Sequence, residues 1–298
     1  MNQPIHTHNI LLCYNIDMET QPIVGMQQTK IGGINILHDN DVPAETAELF
    51  VHAYYKTVHE IMSGTQRGNQ HSLPLGNYQI EFVFVTEKDK LQQFTKPGNK
   101  KLEKWVLGYV VSTKGRYVRY VPADPTDTES LIFDLASSQH EIIHILLPEI
   151  LEIPREILAQ LWNTWVNEGI AVGMFQLQTT SMDWIKHETQ NNPDIKQPSI
   201  ASIQKNGIFW HDHRRPATNV AYQWCALVLK GLETTIKNHY PDSAWFFLRT
   251  PFDFFFLITQ EAYQQGISIE ERLAQIGIDT RSTIFQIEAE LRQQMGIN

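Results

Sequence analysis

Hydrophobic and polar positions follow two different periods in the two parts of the chain. Short segments with strand-like alternation or β-branched residues predict strands in the N-terminal part, over residues 9–17, 22–38, 78–85, 105–112 and 116–121. The run Ile31-Gly32-Gly33-Ile34 predicts a turn or bulge. Helical spacing predicts helices over 41–62 and about 88–94. A sheet of about five strands with accompanying helices is expected here.

After Pro122 the pattern becomes helical. Thr126-Asp127-Thr128-Glu129 is a capping box, and its helix is expected to run to about Leu147, where Pro148 ends it. Pro154 is placed to open a second long helix over about 155–176. Later helical spacing predicts helices over 219–239, 242–249, 252–264, 268–276 and 281–295.

One polar segment interrupts this helical part. Residues 179–217 are rich in Asn, Gln, His and Pro, and we expect a long excursion or lid there. The predicted fold class is therefore α+β. A mixed sheet with helices occupies 1–122, a mainly helical lobe occupies 123–298, and the two lobes form one catalytic unit with the functional site between them.

Composition narrows the possible partners and compartment. The net charge is −9 and lacks basic patches, which argues against nucleic acid or an anionic membrane as a partner. Cys13 and Cys225 are the two cysteines, and their separation disfavours a disulfide framework. The N-terminus has no signal-peptide pattern, and apolar runs stay well short of about 18 residues. A soluble, cytoplasmic protein is expected.

The pentad His140-Glu141-Ile142-Ile143-His144 carries the strongest chemical signal. On a helix, residues four apart share a face, so both imidazoles can reach one metal ion, with Glu141 beside it. Ionisable groups on a mostly apolar helix are costly without a partner, and a metal is an efficient one. Two histidines that merely hydrogen-bond in a core remain an equal alternative for the pentad alone.

A third donor is available on the next predicted helix. Glu168 lies within Asn167-Glu168-Gly169-Ile170-Ala171, and an antiparallel helical hairpin can return it to the two histidines. We expect Gly169, Ala171 and Gly173 to let this helix approach the one that carries the pentad.

Together the two motifs resemble those of the gluzincin metallopeptidases, the thermolysin-like clan. The likeness is nearest to the aminopeptidase branch, whose second motif reads N-E-G-x-A, and it covers about 100–240. The resemblance implies a zinc-dependent peptidase acting on a peptide or protein. It implies His140, His144 and Glu168 as Zn²⁺ ligands and Glu141 as the general base and acid.

The chain departs from that family at several positions. The gap between His144 and Glu168 is 23 residues, which predicts an insertion in the connection. No G-x-M-E-N motif precedes the pentad, although Leu107-Gly108-Tyr109-Val110-Val111 lies where the substrate-binding edge strand would fall. Val172 and Phe175 stand where relatives carry acidic residues that orient a ligand histidine.

A hydrogen-bond donor to the transition state is also expected. Within the resemblance, Tyr222 opens a helix like the one that carries the family's tyrosine donor. An ordinary core tyrosine is an equal alternative. His211 and His213 are the other candidate donors, although solvated side chains are the favoured interpretation for both.

Two further functions stay open. The chain can be a zinc-binding pseudo-peptidase that serves as a binding module, since the usual orienting carboxylates are replaced. It can also be a zinc hydrolase that acts on a non-peptide amide or an epoxide.

Overall fold

A computed structural model describes residues 25–63, 80–94, 108–111, 116–121, 128–175, 182–192, 199–206, 215–240 and 251–297. The predictions for 9–17 and 242–249 therefore lie outside the described residues, as do Thr126 and Asp127 of the predicted capping box, His211 and His213. The strands are β1 Gln27–Ile31, β2 Ile34–His38, β3 Glu81–Val85, β4 Gly108–Val111 and β5 Arg116–Tyr120.

The helices are α1 Ala44–Ser63, α2 Lys88–Leu91, α3 Thr128–Leu151, α4 Arg155–Leu161, α5 Thr164–Phe175, α6 Met182–Asn191, α7 Ile200–Asn206, α8 Arg215–His239, α9 Asp253–Gln265, α10 Ile269–Gln275 and α11 Thr280–Met295. A 3₁₀ turn, Gln92–Phe94, extends α2. Strands thus precede a long run of helices, and the predicted α+β class is confirmed.

The five strands form one mixed sheet in the order β1-β2-β3-β5-β4. The pairs β2–β3 and β3–β5 are parallel, whereas β1–β2 and β4–β5 are antiparallel. Gly32 and Gly33 both have positive φ, which confirms the predicted turn, because such a conformation is cheap only for glycine.

The sheet buries a different set of side chains on each face. Phe82, Phe84 and Tyr117 point into the main core, which also takes side chains from α1 and α3, while Val83 and Val118 belong to a smaller cluster with α2. This period-two alternation follows from strand geometry. The α3 helix contacts α1 and β4, so it carries the pentad across the side of the sheet that faces the main core.

Pro148 does not end α3, contrary to the prediction. The helix continues to Leu151, which is buried. Its end is a Schellman motif in which the Ile153 N–H donates to the Pro148 carbonyl and the Glu152 N–H donates to the Glu149 carbonyl. Proline removes one N–H donor, and the burial of the last turn offsets that loss.

The predicted single helix over 155–176 is two helices, α4 and α5. Trp162 separates them with an extended backbone, φ −103° and ψ 124°. Its indole N–H donates to Thr259 Oγ1 at 3.1 Å, and its ring stacks on Phe256. Asn163 then accepts the first backbone hydrogen bonds of α5. A tertiary partner for Trp162 therefore overrides the helical pattern, and α4 lies between His144 and Glu168 along the chain.

The polar segment 179–217, for which a long excursion or lid is expected, contains helices. Its described parts include α6, α7 and the first residues of α8. Ile185 of α6 is buried, and α7 begins where the Ile200 N–H donates to the Glu288 carboxylate of α11 at 2.7 Å. These helices are thus anchored to the helical lobe.

Candidate metal centre

The α3 helix brings the two histidines of the pentad together. Their Nε2 atoms are 3.2 Å apart, and their rings meet edge-on with centroids 4.9 Å apart. The intervening Ile142 and Ile143 are fully buried, so the helix is held by its apolar side while both imidazoles share another face. The predicted pairing of His140 with His144 is confirmed.

Glu168 of α5 completes a three-donor cluster. One carboxylate oxygen, Oε2, lies 3.0 Å from His140 Nε2 and 3.7 Å from His144 Nε2. The donor atoms of the three residues lie within 4.8 Å of one another. Two imidazole nitrogens and one carboxylate oxygen are a donor set that suits a divalent transition metal. The cluster can therefore hold a metal ion, and the residues fit that role.

Asn167 orients one of the histidines. Its Oδ1 lies 3.2 Å from His144 Nδ1, and it accepts a hydrogen bond when that nitrogen carries the proton. The Nε2 lone pair then points towards Glu168 and His140, as a metal ligand requires. Asn167 was not among the predicted site residues, although its place beside Glu168 in the second motif was an available signal.

Within the described residues, His140 lacks an equivalent hydrogen bond at Nδ1. Its Nδ1 is buried and has no hydrogen-bond partner among the described residues. Val172, which takes the place of an acidic residue in the resemblance, is buried as well. With a metal at Nε2, Nδ1 would carry the ring's proton, and the described residues supply no acceptor for it.

The charges of the cluster are strongly coupled. Burial opposes the ionisation of Glu168, yet His144 and His140 hold the pKa of its carboxyl far below the usual range. Burial also opposes a charge on His144, but Glu168 raises the pKa of that imidazole to about 9. The negative charge of Glu168 therefore requires a positive neighbour. A proton on His144 supplies it in the metal-free chain, and a cation would take over that role.

Glu141 lies beside the cluster and is only partly buried. Burial raises the pKa of its carboxyl, Glu168 adds to the rise, and the two histidines and Arg119 oppose it. Arg119 lies on β5 and is almost fully buried. On the same strand, the Tyr117 hydroxyl is hydrogen-bonded to Ser138 Oγ of α3 at 3.0 Å, which ties the sheet to the pentad helix.

Tyr222 of α8 lies on the other side of the cluster. Its ring meets that of His140 edge-on, with centroids 5.9 Å apart. Burial, together with the charges of Glu168 and Glu141, raises the pKa of its hydroxyl well above the usual value, so the hydroxyl keeps its proton.

The glycine of the second motif packs elsewhere than expected. A Cβ on Gly169 would lie 3.0 Å from the carbonyl oxygen of Cys225, which belongs to α8. Gly169 therefore allows α5 to approach α8. The prediction for this glycine was a close approach to α3, the helix that carries the pentad.

No protein-family model and no curated protein matches the chain. Within the described residues, no helix combines the length and the apolar character needed to cross a membrane.

Proposed function

We propose that this chain is a zinc-dependent peptidase of the gluzincin type. The observation that carries the proposal is the convergence of His140, His144 and Glu168 beside Glu141. Two histidines and a glutamate are one of the ligand sets of catalytic zinc sites, in which three protein ligands leave a position for water or substrate. The likeness of the two motifs to those of gluzincins supports peptide hydrolysis as the reaction.

Zinc held by these three residues would act as a Lewis acid that polarises the scissile carbonyl and activates water. Glu141 takes a proton from the attacking water and passes it to the leaving amine. Tyr222 donates a hydrogen bond to the carbonyl oxygen as negative charge develops there.

The edge of the sheet offers a way to hold an extended peptide. Among the described strands, β4 pairs with β5 alone, so its other side is an edge of the sheet, and α3 contacts β4. A peptide that adds to this edge would be held by its backbone, with little dependence on its side chains. This arrangement supports a peptide or protein as the substrate.

The proposal is tested by measuring zinc content and the hydrolysis of a mixed peptide library, with and without a chelator. Wild-type protein is expected to bind one zinc ion per chain and to cleave peptides, and the chelator is expected to abolish cleavage. Glu141→Gln should retain zinc and lose activity by roughly a thousandfold. Full activity of Glu141→Gln on peptides would refute the mechanism.

A zinc-binding module without catalytic activity is the second candidate function. It is favoured by the buried His140 Nδ1, for which the described residues supply no acceptor, and by Val172 at a position that is acidic in related motifs. Stoichiometric zinc without cleavage of any peptide would support this alternative. Hydrolysis of a non-peptide amide or an epoxide in the same screen would indicate a different zinc hydrolase.

A further inference from the structure

The α5 and α8 helices are in close backbone contact at Gly169. A Cβ at this position would lie 3.0 Å from the Cys225 carbonyl oxygen, 3.1 Å from its carbon and 3.4 Å from the Ala226 nitrogen. All three atoms belong to the backbone of α8, so no side-chain rotation can make room. A side chain at residue 169 would require the two helices to separate by a few tenths of an ångström.

This contact lies between two parts of the proposed catalytic site. Gly169 directly follows the ligand Glu168 on α5. On α8, Cys225 is three residues from Tyr222, so both lie on the same side of that helix. The Tyr222 ring in turn contacts the ring of His140, with centroids 5.9 Å apart. The spacing of the two helices at Gly169 therefore sets the distance between Tyr222 and the three-donor cluster.

We propose that Gly169 is a positioning residue, which holds α8 near enough to α5 for the Tyr222 hydroxyl to reach the carbonyl oxygen that becomes negatively charged. The inference rests on the peptidase function proposed above. A hydrogen-bond donor stabilises such an oxygen when the two atoms are about 2.7–3.1 Å apart. Displacement of the donor by a few tenths of an ångström weakens that bond, while the ligands on α3 and α5 keep their places.

A purely structural role for Gly169 makes a different prediction, and Gly231 provides the matched control. Gly231 also lies on α8, and a Cβ there would lie 2.6 Å from Cγ2 of Ile287 on α11. Gly231→Ala therefore introduces a comparable steric conflict on the same helix. The conflict involves a flexible side chain and a helix that holds none of the proposed site residues.

The experiment compares Gly169→Ala, Tyr222→Phe, the double variant and Gly231→Ala. Zinc affinity is measured by competition with a chromophoric chelator. The zinc-loaded proteins are then titrated with a phosphonate peptide, whose tetrahedral anion imitates the charge that develops on the carbonyl oxygen. Each of the first two variants is expected to weaken phosphonate binding by roughly tenfold to a hundredfold. The double variant should bind no more weakly than Tyr222→Phe.

Zinc affinity should stay within about twofold of wild type in all four variants, because no ligand is changed. Gly231→Ala should lower the melting temperature and leave phosphonate affinity unchanged. Multiplicative losses in the double variant, or unchanged phosphonate affinity in Gly169→Ala, would overturn the positioning role. Loss of zinc from Gly169→Ala would overturn it too, since the ligands themselves would have moved.

Two further outcomes are distinguishable from these. If zinc-loaded wild-type protein does not bind the phosphonate, the proposed function fails and the inference fails with it. If Gly169→Ala does not fold, it is refolded in excess zinc, which should stabilise the folded state. A protein that still does not fold would show that Gly169 is needed for packing itself, and the positioning role would be rejected.

Discussion

In the candidate metal centre, neighbouring residues of opposite charge stabilise each other. Glu168 stays ionised although it is buried, because His144 carries a proton beside it. Both side chains are about one-tenth exposed, at 10% and 13%, so water screens this interaction only weakly. The three-donor cluster therefore favours a cation, because a buried carboxylate without a positive partner is destabilising.

Asn167 is expected to contribute to metal affinity although it does not contact the metal. Asn167→Ala removes the acceptor for His144 Nδ1, so the ring loses its fixed orientation. Zinc affinity should fall roughly tenfold to a hundredfold, as measured by competition with a chromophoric chelator. Asn167→Asp keeps an acceptor oxygen and should retain most of the affinity. Equal zinc binding by Asn167→Ala and wild type would show that other contacts orient the ring.

The end of α3 determines how the helices of the three-donor cluster are joined. Glu152 ends α3 with φ 55°, a left-handed conformation in which a residue other than glycine is strained. The Schellman motif around it turns the chain towards α4 and α5, and so towards Glu168.

Glycine at residue 152 should make the folded protein more stable than glutamate does. Glu152→Gly is expected to raise the free energy of unfolding by roughly 0.5–1 kcal/mol, because glycine adopts positive φ without a steric cost. Glu149→Gly, at an exposed position in the last turn of the same helix, should lower it by about 1 kcal/mol. Urea denaturation of both variants measures the difference. A loss of stability in Glu152→Gly would show that the side chain itself matters there.

Glu233 of α8 joins that helix to the start of α9. Its two carboxylate oxygens accept hydrogen bonds from the backbone N–H groups of Phe254 and Phe255, at 2.9 and 2.7 Å. Burial nevertheless raises the pKa of Glu233 to about 7, because the charged form loses more hydration than these bonds return.

The stability of the protein should therefore depend on pH through Glu233. Since its folded-state pKa is raised above the unfolded value of 4.5, its contribution to the free energy of unfolding is largest below about pH 4.5. That contribution falls as pH rises through about 7, by at most roughly 3 kcal/mol. Glu233→Gln should remove this part of the dependence of the free energy of unfolding on pH. The test is the difference between the urea stabilities of wild type and variant from pH 4.5 to 8, and a constant difference would contradict the assignment.

The molecule as a whole joins its sheet to its helices through α3. This helix packs on α1 and β4 and also on α5, so a metal held by α3 and α5 would tie the pentad helix to the rest of the helical lobe. Binding of a ligand to the folded state alone stabilises that state by mass action.

Zinc is thus expected to stabilise the whole fold. At a free zinc concentration a thousandfold above the dissociation constant, the free energy of unfolding should rise by about 4 kcal/mol. Thermal melts with zinc and with a chelator measure the effect. In Glu168→Gln, which weakens the ligand set, the two melts should nearly coincide. An equal response of wild type and Glu168→Gln to zinc would place the ion elsewhere.

Local sequence patterns were sufficient for several elements and for the pairing of the two histidines. The alternation of 81–85, the glycine pair at 32–33 and the helix that carries the pentad were each predictable, because strand and helix periodicity depends on near neighbours. His140 and His144 are four residues apart, so their shared face follows from helix geometry alone. Glu168 was predicted as the third donor from an expected helical hairpin and from its place in the second motif, and the structure brings it to the two histidines.

Contacts between distant residues were decided only by the tertiary structure. Pro148 remains helical because the last turn of α3 is buried, and Trp162 breaks the second helix because Thr259 and Phe256 lie 97 and 94 residues further along the chain. The approach of Gly169 to Cys225 cannot be predicted from a local sequence pattern either. The sequence by itself determined which residues can bind a metal, since donor type and helical spacing are local properties. The tertiary structure decided how those residues are oriented and what packs behind them, since burial and distance depend on the whole fold.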